Sequence, residues 1–136
     1  MSKADKLQAL AACAYAHRGL HETAVPENSM AAFRAAMGKG LGIECDVRKS
    51  SDGRAMVFHD KDLERLTGRS GAMGQRSVGD LTAITLTGSE EKIPTLRDML
   101  DLVAGAVPLL LEIKIDGLRP VEALCRAVRR LSLIHI

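Results

Sequence analysis

The chain contains very few aromatic residues. Among its 136 residues there is no Trp, one Tyr and two Phe, so that aromatic side chains make up only 2%. Proteins that bind single-stranded nucleic acids stack bases on aromatic side chains, and sites for quaternary ammonium groups surround the cation with aromatic rings. The scarcity of aromatics therefore argues against both classes of protein.

An excess of one charge and long hydrophobic runs are missing as well. The 19 basic and 17 acidic side chains give a net charge of +2, and no Lys/Arg run stands out. We therefore expect no nucleic-acid partner. No stretch approaches the roughly 20 apolar residues that a membrane-spanning helix needs, so we expect no stable membrane insertion. The sequence does not predict the oligomeric state.

The cysteines and the N-terminus bear on the cellular compartment. Cys13, Cys45 and Cys125 are an odd number at irregular spacing. This pattern fits neither a disulfide framework nor a zinc site, and it favours a reducing compartment. Asp5 and Lys6 interrupt the start of the sequence, which makes the N-terminus a weak signal peptide. We expect a cytoplasmic protein, with export as the alternative.

Short β-rich runs alternate with helical runs along the chain. Strands are predicted at 11–16, 43–47, 55–58 and 107–115. Asp52-Gly53 predicts a turn between the second and third strands, whose separation is too short for a crossover helix. Helices are predicted after an N-cap at Asn28, near Ser77, from Thr95 to Gly105, and from Pro120 to Leu131. Strands that alternate with helices predict an α/β protein. Four strands with about four helices are roughly half of a TIM barrel, which typically needs about 250 residues.

Polar residues follow or end each predicted strand. They are His17, Glu44, Asp46, His59, Glu112 and Lys114. If the strands are parallel, these residues meet at one mouth of the barrel. Three carboxylates there would repel one another strongly unless a cation or protons neutralise them, and oxygen ligands suit Mg²⁺ or Ca²⁺. Two histidines could serve as general acid and base, while Arg18 and Lys114 could hold a phosphate. The combination predicts metal-assisted hydrolysis of an anionic ester.

Each of these residues also has an ordinary structural interpretation. Glu44 and Asp46 could be a solvated pair, either histidine could be a satisfied structural residue, and Glu112 with Lys114 could be a buried ion pair. The functional interpretation gains weight because the same kind of group recurs at the same end of four successive predicted strands.

The ordered motifs resemble those of the glycerophosphodiester phosphodiesterase family. The matching segments are His17-Arg18-Gly19, Pro26-Glu27-Asn28-Ser29, Glu44-Cys45-Asp46-Val47, Asp52-Gly53, His59-Asp60, Leu63-Glu64-Arg65-Leu66-Thr67-Gly68, Ile93-Pro94-Thr95-Leu96 and Glu112-Ile113-Lys114. The resemblance implies a TIM (β/α)8 barrel of the phospholipase C-like phosphodiesterase type, here truncated to about the first four strands. It also implies hydrolysis of glycerophosphodiesters to sn-glycerol 3-phosphate and an alcohol.

The resemblance further implies a role for each site residue. Glu44, Asp46 and Glu112 would hold one divalent cation, Mg²⁺ or Ca²⁺. His17 and His59 would act as general acid and base, in an order that stays open, and Arg18 and Lys114 would contact the phosphate. A neighbouring hydroxyl of the substrate's own glycerol would be the first nucleophile, which suits a site that offers no Ser or Cys for this role.

The resemblance also suggests how the chain is divided. Residues 1–131 would be the N-terminal half of the barrel domain, and 63–91 an inserted segment that caps the mouth. Residues 132–136 would be an artificial tail, because the last six residues match a reading frame of a sequencing-library adaptor; an ordinary helix end is the alternative. Other functional hypotheses are an inactive half-barrel fragment, a phosphate-binding module, and a phosphoinositide phospholipase C-like enzyme.

Overall fold

A mixed four-stranded sheet organises residues 2–114, the part of the chain that this computed structural model describes. Its strands are β1 (Tyr15–His17), β2 (Gly42–Lys49), β3 (Ala55–Val57) and β4 (Leu109–Ile113). The central strand is β2. It runs parallel to β1, with His17 opposite Glu44, and parallel to β4, with Asp46 opposite Glu112.

Strand β3 runs antiparallel to β2, which corrects the expectation of four successive parallel strands. Only a short turn joins the two strands, and the N–H of Ser50 donates to the carbonyl of Arg54 across it at 2.9 Å. Gly53 takes the left-handed φ of 82° that closes this turn, at the predicted Asp52-Gly53 position. No crossover helix fits in so few residues, so the chain has to reverse its direction.

Five α-helices and a short 3₁₀ helix accompany the sheet in the described residues. The α-helices are α1 (Lys3–Ala11), α2 (Met30–Gly38), α3 (Glu64–Thr67), α4 (Val78–Thr82) and α5 (Leu96–Val103), and the 3₁₀ helix is Met73–Gln75. The N-caps predicted at Ser77 and Thr95 are confirmed, and Thr95 forms a complete capping box with Asp98.

Several predicted boundaries are wrong. The run 11–16 is not one strand, because α1 extends to Ala11 and β1 begins only at Tyr15. Asn28 is not the cap of α2: Ser29 is, and its hydroxyl accepts from the N–H of Ala32 at 3.1 Å. Between 61 and 92 the chain forms several short helices where one was expected. The predicted helix from Pro120 to Leu131 lies outside the described residues.

Helices α2 and α5 cover one face of the sheet and form the main core with it. Phe33 of α2 and Met99 of α5 are fully buried there, beside Ile43, Cys45 and Val47 of β2. A second core forms among side chains of residues 56–93, including Phe58 and Leu81. No helix in residues 2–114 combines the length and the apolar character needed to cross a bilayer. The other face of β2 carries the polar side chains.

Candidate active site

Three carboxylates lie together on the polar face of the sheet. Glu44 and Asp46 share this face because side chains alternate along β2, and the pairing with β4 places Glu112 opposite Asp46. One carboxylate oxygen from each residue lies within 4.8 Å of the others. Asp46 is only 1% exposed, Glu44 is half-buried and Glu112 is exposed. The predicted metal ligands are therefore neighbours, in a geometry that a single cation can bridge.

Asp46 is surrounded by donors but is not saturated by them. The side-chain amide of Asn28 donates to Oδ2 at 3.0 Å, and Nε of Arg18 lies 3.4 Å from the same oxygen. The other oxygen, Oδ1, is buried and accepts no hydrogen bond within the described residues. Its nearest positive charge is the ammonium of Lys114, 3.5 Å away. A buried carboxylate oxygen without a hydrogen bond is unusual, and such an oxygen suits a metal ligand.

Lys114 contacts two of the three carboxylates. Its Nζ donates to Oε1 of Glu112 at 2.6 Å. This hydrogen bond lowers the pKa of Glu112, with smaller contributions from the charges of Lys114 and His59, and it raises the pKa of Lys114. Because the side chain of Glu112 is 56% exposed, the contact is not the buried ion pair that was the structural alternative.

His17 and Arg18 reach the cluster from the end of β1. The Nε2 atom of His17 lies 3.9 Å from Oε2 of Glu44, and its side chain is 68% exposed. The backbone N–H of Arg18 donates to the same oxygen of Glu44 at 3.0 Å. Arg18 has a left-handed φ of 58°, which turns the chain sharply after the strand. Its guanidinium donates to Glu27 at 3.1 Å.

His59 lies two residues after β3, which pairs with the same edge of β2 as β1 but runs in the opposite direction. The N–H of Phe58 donates to the carbonyl of Asp46 at 3.0 Å, which keeps this segment beside β2. The Nδ1 atom of His59 lies 2.7 Å from Oδ1 of Asp60. Hydrogen bonds from Arg65 and then from His59 hold the pKa of Asp60 well below its usual range. An ionised Asp60 can only accept, so Nδ1 of His59 donates this hydrogen bond and carries a proton.

The structure brings the predicted site residues to one region and adds four that the sequence did not single out. The additions are Glu27, Asn28, Asp60 and Arg65. All four lie within the motifs of the family resemblance, which was their only sequence signal. Cys45 faces the core instead, and burial raises the pKa of its thiol far above the usual range, as expected of a packing residue.

Comparison with known proteins agrees with this geometry. The model of the glycerophosphoryl diester phosphodiesterase family matches residues 17–134. This chain belongs to that family. "Probable glycerophosphodiester phosphodiesterase 2" of Mycobacterium tuberculosis is 42% identical over 88 residues, which are 64% of this chain and 33% of the relative. "Glycerophosphodiester phosphodiesterase" of Caldanaerobacter subterraneus is 37% identical over 109 residues, 75% of this chain and 44% of the relative.

A solved family structure shows how much of the fold is represented. The phosphodiesterase of Oleispira antarctica, solved with the product sn-glycerol-3-phosphate, superposes with a TM-score of 0.81 at 30% identity and covers 90% of this chain and 52% of that one. The chain thus spans about half the length of this structure and less than half of the two curated relatives. Its fold is part of the family's TIM barrel, as predicted.

Proposed function

We propose that the full-length protein carrying this chain hydrolyses glycerophosphodiesters to sn-glycerol 3-phosphate and an alcohol. Family membership supports the reaction class. The O. antarctica relative was solved with sn-glycerol-3-phosphate as its product, which supports the identity of the phosphorylated product. In this proposal Glu44, Asp46 and Glu112 hold one divalent cation, either Mg²⁺ or Ca²⁺.

The observation that carries the proposal is the carboxylate cluster around Asp46. Three carboxylate oxygens within 4.8 Å of one another suit a hard cation, and the buried Oδ1 of Asp46 accepts no hydrogen bond within residues 2–114. A bound divalent cation would lower the pKa of a nearby hydroxyl and offset the charge on the phosphoryl oxygens. The donor set therefore fits the cation that the motifs imply.

The two histidines would carry the protons. Asp60 fixes the Nδ1 proton of His59, so that Nε2 is the atom available to accept or donate a proton at the substrate. His17 presents its exposed ring beside Glu44. The first nucleophile would be a neighbouring hydroxyl of the substrate's glycerol, which would attack the phosphorus as the bond to the alcohol breaks and the alcohol leaves with a proton. Water would then open the resulting cyclic phosphate to glycerol 3-phosphate. Cys45 lies between Glu44 and Asp46 in the sequence, but its thiol is buried in the core and cannot attack the substrate.

The cations Arg18 and Lys114 would bind the phosphate. Each lies within 3.5 Å of an oxygen of Asp46, and together they bring two positive charges to the edge of the cluster. Lys114 is flexible and partly exposed, so it can leave Glu112 for a phosphate oxygen when the carboxylates hold a divalent cation.

The proposal is tested by assaying the full-length protein for release of glycerol 3-phosphate. With glycerophosphocholine or glycerophosphoethanolamine we expect turnover in Mg²⁺ or Ca²⁺ and its loss in EDTA. His17→Ala should reduce kcat at least about 100-fold, as expected when a general acid or base is removed. The matched control is His21→Ala, which changes an exposed histidine in the following loop. Undiminished activity of His17→Ala would overturn the mechanism.

A further inference from the structure

The segment after His59 contributes one residue, Arg65, that binds a carboxylate beside His59 and another beside Arg18. The guanidinium of Arg65, at the start of α3, donates from Nε to Oδ2 of Asp60 at 2.7 Å and from NH2 to Oδ1 of Asp60 at 2.9 Å. It also donates to both oxygens of Glu27, at 2.7 and 3.1 Å. Arg65 is therefore bidentate to two carboxylates at once, the strongest form of charge-assisted pairing.

Each of these carboxylates holds a residue that the proposed reaction uses. Asp60 accepts from Nδ1 of His59 at 2.7 Å, and Glu27 accepts from the guanidinium of Arg18 at 3.1 Å. Burial alone would raise the pKa of Glu27, but Arg65 and then Arg18 lower it below its usual value. Both carboxylates are consequently ionised acceptors with fixed partners.

We infer that Arg65 is a positioning residue that acts through Asp60 to hold the imidazole of His59 in one tautomer and one orientation. This inference rests on the proposed function. Asp60 follows His59 directly in the chain, and its side chain is partly exposed. Without Arg65, its carboxylate could therefore rotate away from His59 toward solvent. With Arg65 in place both oxygens are fixed, and only Oδ1 faces the histidine. Groups that orient metal-binding imidazoles in this way typically matter 10- to 100-fold, and we expect an effect of similar size on the imidazole of His59.

Glu27 gives Arg65 its own anchor. The side chain of Glu27 is largely buried, whereas that of Arg65 is 48% exposed. If the exposed side chain of Arg65 bound Asp60 alone, solvent screening and the loss of rotamer entropy would offset most of the free energy of that ion pair. The buried Glu27 restricts the guanidinium to the geometry that faces Asp60, so the order of dependence runs from Glu27 through Arg65 and Asp60 to His59.

The kinetic test compares Arg65→Met with wild type in the full-length protein. Methionine keeps the length of the side chain and removes every donor. We expect kcat to fall about 10- to 100-fold with KM changed less than about threefold, since Glu27 still binds Arg18 directly. Arg69→Met is the matched control, because Arg69 is exposed and its side chain forms no hydrogen bond or ion pair within residues 2–114. A kcat of Arg65→Met within twofold of wild type would overturn the inference.

A double-mutant cycle asks whether Arg65 acts through Asp60. Adding Arg65→Met to Asp60→Asn should lower kcat by less than about twofold, because the connection is already broken. If the second substitution costs the same factor as it does alone, Arg65 acts by another route and the inference fails.

Side-chain NMR provides a readout that does not depend on turnover. In protein labelled with ¹⁵N-histidine, with the signal of His59 assigned from a His59→Gln sample, wild type should show the Nδ1–H tautomer alone. Arg65→Met should show a mixture of tautomers, and Arg69→Met the wild-type spectrum. A pure Nδ1–H tautomer in Arg65→Met would contradict the inference even if its fold were weakened. An inactive wild type with the expected spectra would instead refute only the proposed function.

Discussion

Asn28 connects the backbone of one loop to the most buried acid of the site. It is itself buried, and its left-handed φ of 54° is rare for residues other than Gly, Asn and Asp. Its amide donates to Oδ2 of Asp46 at 3.0 Å, and its N–H donates to the carbonyl of Arg18 at 2.8 Å. The side chain thus orients the carboxylate while the backbone holds the turn that carries Arg18.

Two substitutions separate these roles of Asn28. Asn28→Gly accepts the left-handed backbone but loses the amide, whereas Asn28→Ala loses the amide and strains the backbone by about 1 kcal/mol. We expect both to weaken Mg²⁺ binding about tenfold in calorimetry of the full-length protein, because Asp46 loses its orienting donor. Urea unfolding without metal should show Asn28→Ala to be the less stable of the two. Wild-type Mg²⁺ affinity in Asn28→Gly would contradict this role.

Acid should weaken the folded protein partly through Asp60 and Glu27. Both have pKa values in the folded state below their usual values near 4. The unfolded chain therefore binds more protons in this range, and the stability from these groups is complete above about pH 5 and is lost as the pH falls through the folded pKa values. Arg65 causes much of the lowering of these two pKa values. In Arg65→Met the free energy of unfolding should therefore decline less steeply between pH 5 and pH 2.

Urea unfolding of the full-length protein at several pH values measures this decline. At pH 7 we expect Arg65→Met to lower the free energy of unfolding by about 1 kcal/mol, a modest figure because the side chain is 48% exposed and screened by solvent. Arg69→Met should follow the wild-type pH profile. An unchanged slope in Arg65→Met would show that the two carboxylates owe their low pKa values to other groups.

At the scale of elements, the loop after β1 is docked tightly on α2. Gly19 has a φ of 78°, and the next N–H, of Leu20, donates to the carbonyl of Ala32 at 3.0 Å. A Cβ on Gly19 would lie 2.7 Å from Cβ of Ala32, which is fully buried. Helix α2 therefore supports the turn that presents His17 and Arg18 to the site.

Gly19→Ala should be strongly destabilising for this reason. The left-handed backbone costs about 1 kcal/mol and the overlap with buried Ala32 about 2 kcal/mol more, so we expect a loss of about 3 kcal/mol in urea unfolding of the full-length protein. Gly53→Ala is the matched control: its φ is 82°, but a Cβ there meets nothing within 4 Å. Equal losses in the two variants would mean that the contact with Ala32 carries no strain.

The elements also show how far the sequence could predict this fold and site. Alternation along β2 was enough to place Glu44 and Asp46 on one face, and capping patterns located Ser77 and Thr95. Local patterns could not give the register that sets Glu112 opposite Asp46, because it depends on pairing between distant residues. The reversal of β3 had a local signal, since the Asp52-Gly53 turn leaves no room for a crossover helix. The left-handed turn at Asn28 was mistaken for a cap, since Asn is common in both settings.

For the whole molecule, the polar face of the sheet ends in an exposed apolar edge. Within residues 2–114, β4 pairs only with β2, so its other edge carries unpaired backbone groups. Leu110 lies opposite Glu44 on this strand and is 50% exposed. An open strand edge with an exposed leucine is a common site of association between chains.

We therefore expect the 136-residue chain, expressed alone, to self-associate or to be only marginally folded. Leu110→Ser should raise the monomer fraction in sedimentation velocity at least about twofold at equal concentration, because it removes the apolar group beside the open edge. Leu7→Ser is the matched control, since Leu7 is even more exposed, at 58%, but lies on α1 away from the sheet. A wild-type chain that sediments as a monomer and melts in one sharp transition would show that the edge of β4 is covered by other parts of the same chain.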